Sequence, residues 1–201
     1  MNSIMLLLGL YILFLFVMKM YRQSIQKRLR EALPIITDYL NVNNVTYWVD
    51  FGTLLGLHRE GDIIMADNDI DICILRGDQE RVRKVLQEFV KTHPEFTMKE
   101  YDWDAFRLFY KGVYIDVYKA LIIDKEGKMM VEIPDSKDTP FELLQELKTV
   151  DLPFHGKSIR VSHPVKWEEL LKFRYGKKWS TPLHKWWLGY YSIDDTKIAL
   201  N

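Results

Sequence analysis

The sequence holds a single cysteine, Cys73, so neither an intramolecular disulfide framework nor a cysteine-built zinc cluster organises the fold. It also lacks a surplus of either charge. Its 28 Lys and Arg face 28 Asp and Glu, which leaves no net field to gather nucleic acid or an anionic surface, so any anionic ligand must be caught locally. Repeats and low-complexity linkers are missing, and 48% hydrophobic with 28% charged residues excludes a disordered chain. At 201 residues the expectation is one domain. The last absence is local: residues 1–18 carry no charge at all.

That uncharged end contains a solid apolar run from Ile4 to Met18. With Met1 to Ser3 and the snorkelling stem of Lys19 it reaches the roughly 20 residues a bilayer requires. Residues 1–20 are therefore expected to form a transmembrane anchor and residues 21–201 one domain. A cleaved signal peptide fits less well, because no basic stretch precedes the run and no small-x-small site follows it. Two signals disagree on orientation. Lys19, Arg22, Lys27, Arg28 and Arg30 after the span favour a cytoplasmic domain, whereas the sequon Asn44-Val45-Thr46 favours a lumenal one.

Beyond the anchor the pattern is that of an α/β (α+β) domain. Leu29, Leu33, Ile36 and Leu40 space a helix over residues 23–41, which Pro34 is expected to bend. A short strand over 46–49 leads to Asp50-Phe51-Gly52-Thr53, with a helix over 54–58 beginning at the glycine. A second strand covers 70–75, and Asp78 is placed to cap a helix whose Val82, Val85, Leu86, Phe89 and Val90 form one apolar stripe. Strands are expected over 96–101, 105–110 and 113–119, with Lys111-Gly112 as a hairpin turn. A further hairpin joins 121–124 to 129–133, and strands lie near Val150 and Ile159. Pro164 is expected to open a last helix that Gly176 ends.

The chemistry concentrates between Asp50 and Asp71. A strand's two-residue period puts Asp69 and Asp71 on one face and Ile70, Ile72 and Ile74 on the other. Adjacent carboxylates repel, and the simplest account of such a pair is a divalent cation, with hard oxygen ligands favouring Mg2+ or Mn2+. A calcium loop starting at Asp67 fails because Ile72 stands where glycine is required. Upstream, Gly52 and Thr53 sit at a strand-to-helix junction where backbone N–H groups and a hydroxyl can approach a phosphate. Asp116, opposite in face to Val113, Ile115 and Val117, supplies a third carboxylate, either as metal ligand or as base, or else it pairs with Lys119 or Arg107.

Gly-Thr, Asp-x-Asp and a lone strand aspartate form the layout of the nucleotidyltransferase superfamily. More narrowly, Gly52-Thr53-Leu54-Leu55-Gly56, Arg59, Gly61, Ile63-Ile64, Asp67 and Asp69-Ile70-Asp71-Ile72 resemble the LicD family, which includes bacterial phosphocholine transferases, fukutin and fukutin-related protein. Leu171 to Trp179 with Pro182 looks like the family's second signature. The resemblance implies a nucleotidyltransferase-like mixed sheet flanked by helices and preceded by the transmembrane helix. It implies transfer of a phospho-alcohol, such as phosphocholine or ribitol phosphate, from a CDP-activated donor to a glycan or glycoconjugate hydroxyl, with no nucleic acid partner. Location would be a single-pass membrane of the Golgi or another secretory compartment. In that reading Asp69, Asp71 and Asp116 hold the metal and carry catalysis, while Gly52 and Thr53 contact donor phosphate. Arg59 neutralises the leaving nucleotide, or merely pairs with Glu60 or Asp62. Thr53 has a plain alternative as a helix cap, and Tyr175, Gly176 and Trp179 read as a structural corner. Trp186, Trp187, Tyr190 and Tyr191 either line a sugar site or pack on the core. Two other functions stand beside transfer: placing NMP on an acceptor with the same triad, or a non-catalytic membrane-bound relative.

Overall fold

The computed structural model describes residues 2–182 except 103 and 135, together with the backbone of 184–185 and 190–191. Trp186 and Trp187 lie outside the described residues, and the side chains of Tyr190 and Tyr191 do also.

The N-terminal apolar run and the first domain helix are one element, α1 (Asn2–Val42), which runs on through Pro34. Its first half contains a window long and apolar enough to cross a membrane, none of it buried against the protein. Burial begins at Ile25, and Leu29, Leu33, Ile36 and Leu40 are wholly enclosed. Each of those side chains contributes about 1.5–3 kcal/mol of transfer free energy. The Asn44 and Thr46 side chains of the sequon are exposed at the turn that follows, where Asn44 has φ 52°.

The strands are β1 (Trp48–Val49), β2 (Asp69–Leu75), β3 (Phe96–Tyr101), β4 (Ala105–Tyr110), β5 (Val113–Lys125), β6 (Lys128–Glu132) and β7 (Thr139–Pro140). They form one mixed sheet in the order β1-β2-β5-β4-β3, with β6 and β7 continuing from the far half of β5. Only β2 and β5 run parallel, as their helical crossover requires. That crossover contains α3 (Gln79–Thr92), whose Val82, Leu86 and Phe89 join the core with the α1 stripe and Ile70, Ile72 and Ile74. The helix α2 (Phe51–Arg59) precedes β2, and the hairpin β8 (Leu147–Phe154) and β9 (Lys157–Pro164) leads to α4 (Trp167–Tyr175). The last described pieces, β10 (His184–Lys185) and β11 (Tyr190–Tyr191), pair with each other.

Several boundaries differ from the sequence pattern. The expected strands at 113–119 and 121–124 are a single β5, because nothing between them interrupts an extended backbone. It pairs with β2 as far as Ala120 and with β6 from Leu121. Lys119, read as a strand end, is buried, with its ammonium 2.6 Å from Glu100. Pro164 closes β9 instead of opening α4. Asp78 ends a short 3-10 turn and makes no side-chain cap bond to α3. Gly176 stops α4 as expected, with φ 79°.

Candidate functional site

The site grows from the way α2 is fastened to β2. Asp50 is fully buried and caps α2: its carboxylate accepts from the Phe51 N–H at 2.7 Å and the Trp48 indole at 3.1 Å. The Arg174 guanidinium of α4 grips the same carboxylate in a fork, at 3.0 and 2.6 Å. The backbone at Phe51 is forced to φ 47°, a costly conformation for an aromatic residue that persists only where the surroundings hold it. Its ring lies 4.4 Å from the Arg174 guanidinium carbon and 5.7 Å from the Tyr118 ring.

This turn clamps Asp71 from both sides. The Asp71 N–H donates to the Thr53 hydroxyl at 2.8 Å, and its carbonyl accepts from the Asp50 N–H at 3.2 Å. Thr53 thus joins α2 to β2 at the candidate aspartate. Gly52 also has a steric duty its position did not announce: a Cβ there would lie 2.1 Å from Asp67 Oδ2, so the glycine makes room for that acidic side chain.

The register of β2 and β5 pairs Asp71 directly with Asp116 and Asp69 with Tyr114. Residues that face each other across a parallel ladder point to the same side, so Asp69, Asp71 and Asp116 share one face of the sheet. Burial, followed by the charges of Asp69, Asp67, Asp116 and Asp50, drives the Asp71 pKa well above the ordinary carboxylate range. Burial also raises Asp67, with the neighbouring Asp69 carboxylate as the next cause, and Asp67 Oδ2 has no hydrogen-bond partner among the described residues. Burial raises Asp116 as well, against the opposing pull of Arg107. Concentrated negative charge with an orphaned buried oxygen suits a hard divalent cation.

Asp116 stands apart from that donor set. Arg107 of β4, its register partner, holds both its oxygens, at 2.5 and 2.7 Å. Among the described residues no group of three acidic, histidine or cysteine side chains is drawn together as a metal cage. The carboxylates that fit a cation by chemistry are therefore Asp69 and Asp71, with Asp67 adjoining. Arg59, two turns along α2 from Gly52, bonds Glu60 at 2.8 Å and the Trp179 carbonyl at 3.4 Å. It ties α2 to the segment after α4.

The sequence named Asp67 without giving it a place in the site and did not point to Asp50 or Arg174, whereas the pairing of Asp116 with Arg107, one of the alternatives read for it, is present. The glycine two positions after Asp50 was the one signal for a tight approach. Nothing in the sequence announced that Arg174, 124 residues away, would meet Asp50.

Residues 44–164 match the family described as LicD/FKTN/FKRP, nucleotidyltransferase domain. The chain is 29% identical over 161 residues to the ribitol 5-phosphate transferase FKRP of Mus musculus, an alignment covering 75% of this chain and 31% of that protein. It is 37% identical over 73 residues to an uncharacterized protein of Rickettsia prowazekii (strain Madrid E), covering 35% and 27% respectively. It thus spans about a third or less of the length of these relatives. The solution structure of the antibiotic-resistance factor ANT(2'')-Ia overlays with a TM-score of 0.49 at 15% identity, over 87% of this chain and 83% of that one. With the mixed sheet, the Gly-Thr turn and the acidic face on one scaffold, and a match over more than half its length, this chain belongs to the LicD/FKTN/FKRP family through its nucleotidyltransferase domain.

Proposed function

We propose that the protein is a membrane-anchored transferase that moves a phospho-alcohol, such as phosphocholine or ribitol phosphate, from a CDP-activated donor to a glycan hydroxyl. The observation that carries the reading is the acidic face itself: Asp69, Asp71 and Asp116 aligned across β2 and β5 beside the Gly52-Thr53 turn. The family supports a transferase, and the likeness to a ribitol 5-phosphate transferase supports the phospho-alcohol class. A secretory compartment such as the Golgi suits a glycan acceptor.

In the proposed reaction the acceptor oxygen attacks the phosphorus that bears the alcohol. A new P–O bond forms, the diphosphate bridge breaks, CMP departs, and the acceptor proton passes to a base. Mg2+ or Mn2+, held by Asp69 and Asp71, would supply charge neutralisation for the diphosphate. The Thr53 hydroxyl accepts from Asp71 and keeps its own proton for a phosphate oxygen. Asp116 is the base in this scheme. Each of its oxygens retains a lone pair after bonding Arg107, whereas a metal ion there would sit against the guanidinium charge. Arg107 in turn places a fixed positive charge beside the transferring phosphate. Arg59 contributes to the site indirectly, by holding α2 against the Trp179 carbonyl.

Purified full-length protein incubated with a panel of CDP-alcohols and glycan acceptors tests the reading. CMP release with the alcohol phosphate joined to the acceptor is expected. Release of pyrophosphate from a nucleoside triphosphate would instead identify nucleotidyl transfer, and no turnover with any donor would identify a non-catalytic relative.

A further inference from the structure

Between α1 and the tip of the β8–β9 hairpin lies a cavity of 370 Å³, and none of its lining residues belongs to the carboxylate face. Lys27, Arg30, Glu31 and Pro34 line it from α1, on the single stripe that their spacing of three and four produces. From the hairpin come Phe154, His155 and Lys157. A two-residue turn, with His155 at φ 47° and Gly156 at φ 74°, sets Phe154 opposite Lys157, so their side chains point to the same side. The His155 N–H donates to the Gly61 carbonyl at 2.8 Å and pins this turn to the loop between α2 and β2. Arg30 is held from the same loop, its Nε and Nη2 donating to the two Asp62 oxygens at 2.7 and 2.6 Å. Helix and hairpin are thus fastened to neighbouring residues, which fixes the walls of the cavity.

The charges around it do not cancel. Asp62 is satisfied by Arg30, with His155 Nδ1 3.4 Å from the same carboxylate. Glu31 accepts from the Tyr110 hydroxyl at 2.9 Å and the Lys111 ammonium at 3.0 Å. Lys27 and Lys157 are exposed, and neither forms an ion pair among the described residues. Arg30 spends two of its five N–H donors on Asp62 and keeps the others. Two ammonium groups and the remaining edge of a guanidinium therefore border a cavity whose apolar lining is Pro34 and the buried Phe154.

Unpaired cations beside an apolar lining define a ligand with an anionic end and an uncharged body. A phosphate monoester carries close to two negative charges at neutral pH, which matches two ammonium groups, and its oxygens accept charge-assisted bonds from a guanidinium edge. A carboxylate or a phosphate diester offers a single charge. The enclosed volume suits a phosphate with one ring or a short chain, and a pair of acyl chains would lie outside it. We propose that this cavity is a second ligand site, separate from the acidic face, for a small water-soluble phosphate monoester whose body rests on Pro34 and Phe154.

Phenyl phosphate is the probe, titrated into the detergent-solubilised full chain and followed by phosphorus NMR, with EDTA present so that no metal bridges it to the carboxylates. Saturable binding is expected. Inorganic phosphate, which lacks the body, should bind more weakly, and benzyl alcohol, which lacks the charge, should not compete. Lys27→Glu/Lys157→Glu should weaken binding by about tenfold or more. Lys84→Glu/Lys128→Glu, an equal change of charge on α3 and β6, should leave it within about twofold. Lys27→Met/Lys157→Met, which keeps the stems of both side chains, should show an intermediate loss with a native melting temperature. Absence of saturation, inorganic phosphate bound as tightly as the ester, or equal losses in the cavity and remote pairs would each overturn the proposal. Displacement of the probe by phosphatidic acid but not by phosphatidylglycerol in the micelles would assign the cavity to a lipid head and overturn the soluble ester.

Discussion

His58 shows how a single half-buried side chain couples this fold to pH. It stacks on Trp167 with ring centroids 3.7 Å apart and stands edge-on to His163 at 4.9 Å, and burial, then His163, pushes its pKa down to about 4. The folded protein thus holds His58 neutral, while the unfolded chain takes up a proton near pH 6.5. Stability is fully present above that pH and falls as the pH drops from about 6.5 toward 4, by roughly 3 kcal/mol at most. His58→Phe, which keeps the stacking, should flatten that acid limb in urea titrations at pH 7 and pH 4.5; an unchanged limb would assign it to other groups.

Gly52 offers a second residue-scale test, since an added methyl meets Asp67 Oδ2. Gly52→Ala should destabilise by about 1–3 kcal/mol in spite of alanine's better helix propensity, as overpacking does. Gly52→Ala/Asp67→Ala should recover most of that loss. Additive effects in the double-mutant cycle would mean that the two positions do not meet. The glycine was legible in the sequence as a close-approach position, but not as the partner of Asp67, because a tight turn gives no sign of which atom comes near it.

At the level of elements, the Asp50–Arg174 pair joins α2 to α4, and both side chains are buried. Arg174→Met alone leaves a charged Asp50 without its fork and should cost about 3–5 kcal/mol in denaturant unfolding. Asp50→Asn/Arg174→Met should cost much less than the sum of the single changes. Equal and additive losses would show that the pair is not coupled. The elements were legible wherever periodicity was strong, as in the α1 stripe, the α3 stripe and the alternation of β2. They were misjudged where a local signal competed with tertiary context: Pro164 resembles a helix start but ends a strand, and Lys119 resembles a strand end but is covered by Glu100 and the Phe106 ring. The acidic face was legible because Asp69, Asp71 and Asp116 keep strand parity, and Arg107 was legible as one of two possible partners of Asp116, between which the β4–β5 register decides.

For the whole molecule, the first half of α1 is exposed apolar surface and the core closes without it. Deleting residues 1–20 should therefore leave a folded, soluble domain with a cooperative melt, while the full chain should stay with the membrane pellet after alkaline carbonate extraction. Release into the wash would contradict the anchor. The apolar run itself was plain in the sequence. Its continuity with the domain helix was not, because Lys19 and Arg22 resemble a boundary although the helix has none there.

Phospho-alcohol transfer is proposed to run on the carboxylates of β2. In the metal-free fold their repulsion is a burden: with the Asp71 pKa raised, its contribution to stability is lost as pH rises through the ordinary carboxylate range toward the raised value. Asp71→Asn keeps the shape and removes one charge, so at neutral pH the melting temperature should hold or rise while function fails. The most direct measurement is CMP release from a CDP-alcohol by the full-length protein and by Asp71→Asn, side by side, with the melting temperature of each. CMP release by the native chain, a fall of about a hundredfold or more in the variant and no loss of melting temperature are expected; turnover at a near-native rate in the variant would remove Asp71 from the reacting site.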